Sequence, residues 1–151
     1  MGSEDIVREF TVCGNRVTVH VPEHCAGEAH PDADEGRSGE ASPAIPDSLP
    51  VVYLHVHDGN GSEVLRLCRE LGYPDFILAA IRPRCWNDDL TPWECPGLFA
   101  DDAPFAGKAT EQLRLLESEI IPRVEGNTPR KPEQRVLAGY SLAGLYATWA
   151  T

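Results

Sequence analysis

Arg135-Val136-Leu137-Ala138-Gly139-Tyr140-Ser141-Leu142-Ala143-Gly144-Leu145 leads into Tyr146 to Trp149. A short apolar strand, a serine among small residues and then a helix is the order in which a nucleophilic serine is carried on a sharp turn. Gly139, Ala143 and Gly144 leave the backbone room to make that turn. The helix beginning after Ser141 aims its N-terminal N–H groups at the place where an attacked carbonyl becomes negative. Ser141 is the candidate nucleophile, and the backbone N–H of Leu142 the first candidate oxyanion donor.

Upstream, strand and helix patterns alternate. Val51-Val52-Tyr53-Leu54-His55-Val56 is a nearly unbroken apolar run, as in a parallel strand covered on both faces. His57-Asp58-Gly59-Asn60-Gly61 ends it as a turn, and the turn from His57 to Gly59, with Asp58 at its centre, is the expected source of a second oxyanion donor. Ser62 is placed to cap a helix with Val64, Leu67, Cys68 and Leu71 on one face and Gly72 at its end. Phe76 to Ile81 reads as another buried strand, so the βαβ pattern implies an α/β sheet.

Before these units, residues 5–13 and 15–21 alternate with period two, predicting a β-hairpin turned at Gly14-Asn15. Between Pro22 and Pro50 there are seven acidic residues, one Arg and almost nothing apolar, which predicts a flexible acidic insertion over 22–50. Residues 82–108 form a long loop holding Trp86 and Trp93, two large aromatics that predict order and a place at a substrate pocket. Arg82 and Arg84 have two available partners there, an anionic substrate or the neighbouring Asp88 and Asp89. Thr110 is placed to cap a helix with Leu113, Leu116, Ile120 and Val124 inward, disturbed near Pro122.

A serine hydroxyl needs a base to take its proton. All five histidines (His20, His24, His30, His55, His57) precede Ser141, and no Asp, Glu or His follows it. His57 oriented by Asp88 or Asp102 is one arrangement these residues allow. His55-x-His57-Asp58 also admits a metal reading, with both imidazoles on one strand face, but further ligands at zinc spacing are lacking, and none is found beside Cys85 and Cys95. No metal and no cofactor is expected.

Thirteen Lys and Arg stand against 24 Asp and Glu, a formal net charge of −11. Such a surface repels phosphate backbones and anionic membranes, so neither nucleic acid nor membrane is an expected partner. No apolar run reaches the ~18 residues of a membrane span, and the N-terminus lacks a basic, apolar leader. The five cysteines contain no C-x-x-C pair and read as reduced thiols of a cytoplasmic protein. Composition leaves the oligomeric state open.

Gly-Tyr-Ser-Leu-Ala-Gly-Leu-Tyr-Ala at 139–147, Trp86-Asn87-Asp88-Asp89-Leu90-Thr91-Pro92-Trp93, and Glu119-Ile120-Ile121-Pro122 resemble the esterase D and enterochelin-esterase-like branch of the α/β-hydrolases. The resemblance covers Val51 onward and departs from the commoner Gly-x-Ser-x-Gly only in Ala143. It implies an α/β-hydrolase-type, mostly parallel sheet preceded by an antiparallel hairpin. It also implies a serine esterase acting on a small-molecule ester through an acyl-enzyme, with Ser141 as nucleophile and Leu142 as oxyanion donor. Such a domain runs to roughly 200 to 250 residues, and in this branch the acid and histidine follow the serine. Residues 1–151 therefore read as the N-terminal part of one domain, catalytically incomplete alone. An acyltransferase on the same scaffold and a non-catalytic interaction module are the rival readings.

Overall fold

The structure is a computed structural model and describes residues 5–25, 48–128 and 130–151. Seven strands and five α-helices occur in these residues. In chain order they are β1 (Asp5–Val12), β2 (Asn15–Pro22), β3 (Val51–His55), α1 (Ser62–Glu70), β4 (Ile77–Arg82), α2 (Trp86–Asp89), β5 (Glu94–Cys95), β6 (Phe105–Ala106), α3 (Ala109–Leu115), α4 (Ile121–Glu125), β7 (Arg135–Gly139) and α5 (Leu142–Ala150). The main sheet has the order β1-β2-β4-β3-β7. Strands β4, β3 and β7 are parallel, whereas β1 and β2 join antiparallel at one side. This is the α/β arrangement implied by the sequence, with the hairpin where period-two alternation placed it.

The hairpin turns one residue earlier than expected. Val12 pairs with Asn15, so Cys13 and Gly14 form the turn, at φ 47° and 81°. A two-residue turn that follows the twist of the strands needs positive φ at both positions. Asn15 is freed to enter β2, where it is buried.

The sheet separates two apolar layers. On one face Val17, Val19, Val51, Tyr53, Ile77, Ala79 and Ile81 pack against Leu116, Ile120 and Val124. Those three are the inward stripe expected of the Thr110 helix, although that helix begins at Ala109 with Lys108 at its cap position. A π-helical turn, Leu116–Ile120, joins α3 to α4. There the N–H of Ile121 reaches back to the carbonyl of Leu116, and the widened turn lets Pro122 enter without breaking the helix. Packed beside this layer, Ala143 and Tyr146 of α5 meet Leu90 and Ala109.

On the other face lies α1. Its inward side is Gly61 and Leu65, not the stripe from Val64 to Leu71: Val64, Leu67 and Leu71 are all exposed. A Cβ on Gly61 would lie within 2.9 Å of both Leu78 and Ala80, so glycine lets the helix start press directly onto β4 and fixes which stripe turns inward. Ser62 is the first helical residue and makes no cap; its N–H is instead accepted by the Asn60 side chain at 3.1 Å.

At either end of the expected acidic insertion, described residues join the fold. Pro22 pairs with Asp5, Glu23–Cys25 forms a 3-10 turn, and Leu49 is buried in the core. The rest of that expectation, residues 26–47, lies outside the described residues.

Candidate active site

Strand β7 stops at Gly139, and α5 starts at Leu142. Between them Ser141 takes φ 57° and ψ −123°. Cys13 is the only other described non-glycine residue with positive φ. A serine held in that region costs roughly 1–3 kcal/mol, which the surroundings must offset. They do so by close packing and by hydrogen bonds. The N–H groups of Gly144 and Leu145 donate to the Ser141 carbonyl at 2.9 and 3.1 Å, and that of Ala143 to Tyr140 at 3.2 Å. A Cβ on Gly139 would fall 2.3 Å from the Ala143 carbonyl, so only glycine fits. Ser141 is exposed and Leu142 half-buried; as the first residue of a helix, Leu142 has no intrahelical acceptor for its N–H.

Strand register decides what lies beside this turn. His55 stands opposite Gly139, so the segment after β3 and the segment after β7 leave adjacent strand ends at the same sheet edge. Val56 donates to the Ile81 carbonyl at 2.8 Å and closes β3. Asp58 is exposed and pairs with Arg82 at 3.3 Å. Asn60 is pinned by His20, whose Nε2 donates to its carbonyl at 2.7 Å. The ring of His57 rests edge-to-face on Trp86, with centroids 5.2 Å apart.

The tryptophan loop is fastened from within. Buried Asp89 accepts from the Cys85 N–H at 2.8 Å and from Arg84 at 3.2 Å. Asp88 accepts from the Ala106 N–H at 3.0 Å. The Thr91 hydroxyl donates to the Asn87 carbonyl at 2.7 Å and accepts from the Gly107 N–H at 3.2 Å. These bonds hold Trp86, half-buried, against His57 and the Leu90–Tyr146 cluster. Trp93 is 58% exposed. Of the two partners open to the arginines, Arg84 takes a carboxylate, Asp89, whereas Arg82 reaches Asp58 rather than the loop.

Two arrangements of histidine are not formed among the described residues. No hydrogen bond or ion pair joins His57 to Asp88, which accepts from the Ala106 N–H, or to Asp102, which accepts from the Phe99 N–H. His55 and His57 share no ligand face: β3 ends at His55, which is buried, while His57 is exposed beyond it. Among the described residues no group of three or more His, Cys, Asp or Glu could hold a metal ion. None of His20, His24, His55 and His57 hydrogen-bonds the Ser141 hydroxyl among the described residues.

His55 is a hydrogen-bonded core histidine, and its partners Gln112 and Asn15 escaped the sequence reading. The Gln112 side-chain amide donates to Asn15 Oδ1 at 2.8 Å and to His55 Nε2 at 3.2 Å. Nε2 therefore accepts, and the imidazole proton sits on Nδ1. Burial pushes the His55 pKa down to about 4, so the ring is neutral. Its edge meets the Tyr146 ring at 4.8 Å, and burial holds that phenol well above its ordinary value. The available signal was Gln112 itself, a polar residue one turn before Leu116 on the inward stripe of its helix.

A parallel sheet with a strained serine between strand and helix, at the carboxyl ends of the strands, defines the α/β-hydrolase class. Within that class the chain belongs to the esterase family, since residues 37–151 match the family model described as "Putative esterase". It is similar to the uncharacterized protein YbbA of Bacillus subtilis (strain 168), with 31% identity over 110 residues, 68% of this chain and 43% of YbbA. Similar solved structures include the siderophore hydrolase EstA from Aspergillus nidulans, with TM-score 0.63, 20% identity, and 97% of this chain and 52% of that one covered. The enterobactin and salmochelin hydrolase IroE has TM-score 0.56 and 21% identity over 94% and 54%. The chain thus spans about half the length of the proteins it matches. No helix among the described residues is long and apolar enough to cross a membrane.

Proposed function

We propose that this chain carries the nucleophile half of a serine esterase acting on a small-molecule ester. The observation that supports it most directly is the backbone of Ser141, strained at φ 57° and exposed at the strand ends, in a family of esterases. Ser141 attacks the ester carbonyl, and the tetrahedral oxygen accepts hydrogen bonds from the N–H groups of Leu142 and Asp58. The alcohol leaves, and water then releases the acyl group. Trp86 walls the pocket beside His57, and Trp93 meets the more exposed part of the substrate. The proton acceptor comes from residues other than those described, because no described histidine reaches the hydroxyl. On this reading residues 1–151 belong to a single hydrolase domain.

The test is fluorophosphonate labelling of the protein expressed from its own gene, followed by peptide mapping. The adduct is expected on Ser141 and absent in Ser141→Ala. Labelling of another residue, or none, refutes the assignment. The 151-residue polypeptide alone is expected to turn over p-nitrophenyl esters weakly or not at all.

A further inference from the structure

We propose that His55 is a positioning residue for the Ser141 turn, its buried imidazole joining β2, β3, α3 and α5 and setting the seat of the helix that carries Leu142. The inference rests on the reading of Ser141 as nucleophile. His55 is the last register partner of β7, opposite Gly139, so a displacement of its backbone reaches the turn within two residues. Its ring abuts Tyr146, which lies one helical turn after Leu142 on the same side of α5 and is itself fully buried. Gln112 fixes the ring from the other side and is fixed in turn by Asn15. Both donors of one amide are spent on two acceptors, which leaves the imidazole one orientation and one tautomer.

The ring is 2% exposed, so it meets no substrate and takes no proton from Ser141. Its Nδ1 has no hydrogen-bond partner among the described residues. An apolar side chain would occupy this space without that desolvation cost. What an apolar residue lacks is the directional bond from Gln112 that locks the ring under Tyr146.

The experiment compares His55→Leu with His55→Gln, whose side-chain oxygen reaches the place of Nε2, in the protein expressed from its own gene. In His55→Leu the maximal rate of fluorophosphonate labelling is expected to fall about tenfold to a hundredfold. The half-saturating probe concentration stays unchanged, and the Ser141 and Leu142 amide resonances move. His55→Gln restores most of the rate. Should His55→Leu fold poorly, Gln112→Met releases Nε2 without altering β3 and is expected to give a smaller loss of the same kind. A cooperatively melting His55→Leu protein with parental rate and resonances overturns the proposal, as does an equal loss in the Leu and Gln variants. A parent protein unlabelled at Ser141 refutes the nucleophile reading instead. The amide resonances then decide the role of His55 by themselves, parental positions in His55→Leu overturning it.

Discussion

His55 and Gly139 face each other as the last pair of the β3–β7 ladder. From that pair the chain leaves the sheet twice, once toward His57–Gly59 and once toward Tyr140–Ser141. Two segments about 80 residues apart in sequence thus leave adjacent strands at one edge of the sheet, which is what the proposed pairing of Ser141 with the His57–Gly59 turn requires.

The strain at Ser141 makes a stability measurement informative. Ser141→Gly removes the penalty of a side chain at φ 57° and is expected to raise stability by about 1 kcal/mol while abolishing fluorophosphonate labelling. Ser141→Ala abolishes labelling without that gain, because alanine keeps a Cβ at the same φ. Urea unfolding of the two variants distinguishes them, and equal midpoints would show that the turn is unstrained.

Gly139 is required by contact rather than by its φ. In Gly139→Ala the new methyl meets the Ala143 carbonyl at 2.3 Å, so β7 and α5 must separate. A loss of at least about 2 kcal/mol is expected, together with loss of labelling. Gly59→Ala is the contrasting control, since its Cβ meets nothing within 4 Å and only its φ of 77° is strained.

The acid limb of stability should show two separable groups. The Arg135 guanidinium, bonded to Glu125 through Nε and Nη2, and the Tyr53 hydroxyl hold the Glu125 carboxyl below its ordinary value of 4.5. Its contribution is complete above that value and is lost as pH falls through the lower folded value. Buried His55 binds its proton more weakly than in the unfolded chain, about 4 against 6.5. Stability therefore falls as pH drops from 6.5 toward 4, by on the order of 3 kcal/mol. His55→Gln is expected to flatten the limb between pH 6.5 and 4, and Glu125→Gln the limb below 4.5, as read from melting temperature against pH.

The two tryptophans should part company on substitution. Trp86→Ala removes a ring packed on His57 and the Leu90–Tyr146 cluster and is expected to cost about 2 kcal/mol. Trp93→Ala, at a position 58% exposed, is expected to leave the melt unchanged and to alter preference among acyl-chain lengths. Thermal melts and labelling with probes of different alkyl length measure the two effects.

Much of this molecule was legible in the chain because the signals are local. Residues 51–56 and 76–81 are apolar runs of strand length, and Gly139-Tyr140-Ser141-Leu142-Ala143-Gly144 holds its small residues where a sharp turn needs them. Alternation in residues 5–21 predicts the hairpin, and the composition of the chain sets its charge. Tertiary structure decided the rest, through contacts between residues far apart. Gln112 meets Asn15 across 97 positions and His55 across 57, and no periodicity records which polar group a folded chain brings to which. The inward side of α1 was settled by Leu78 and Ala80 of β4, because a helix with apolar residues at 64, 65, 67, 68 and 71 offers the sheet more than one stripe. Backbone preference is written residue by residue along the chain, whereas the choice among packings belongs to the surfaces that meet, and those exist only once the sheet has formed.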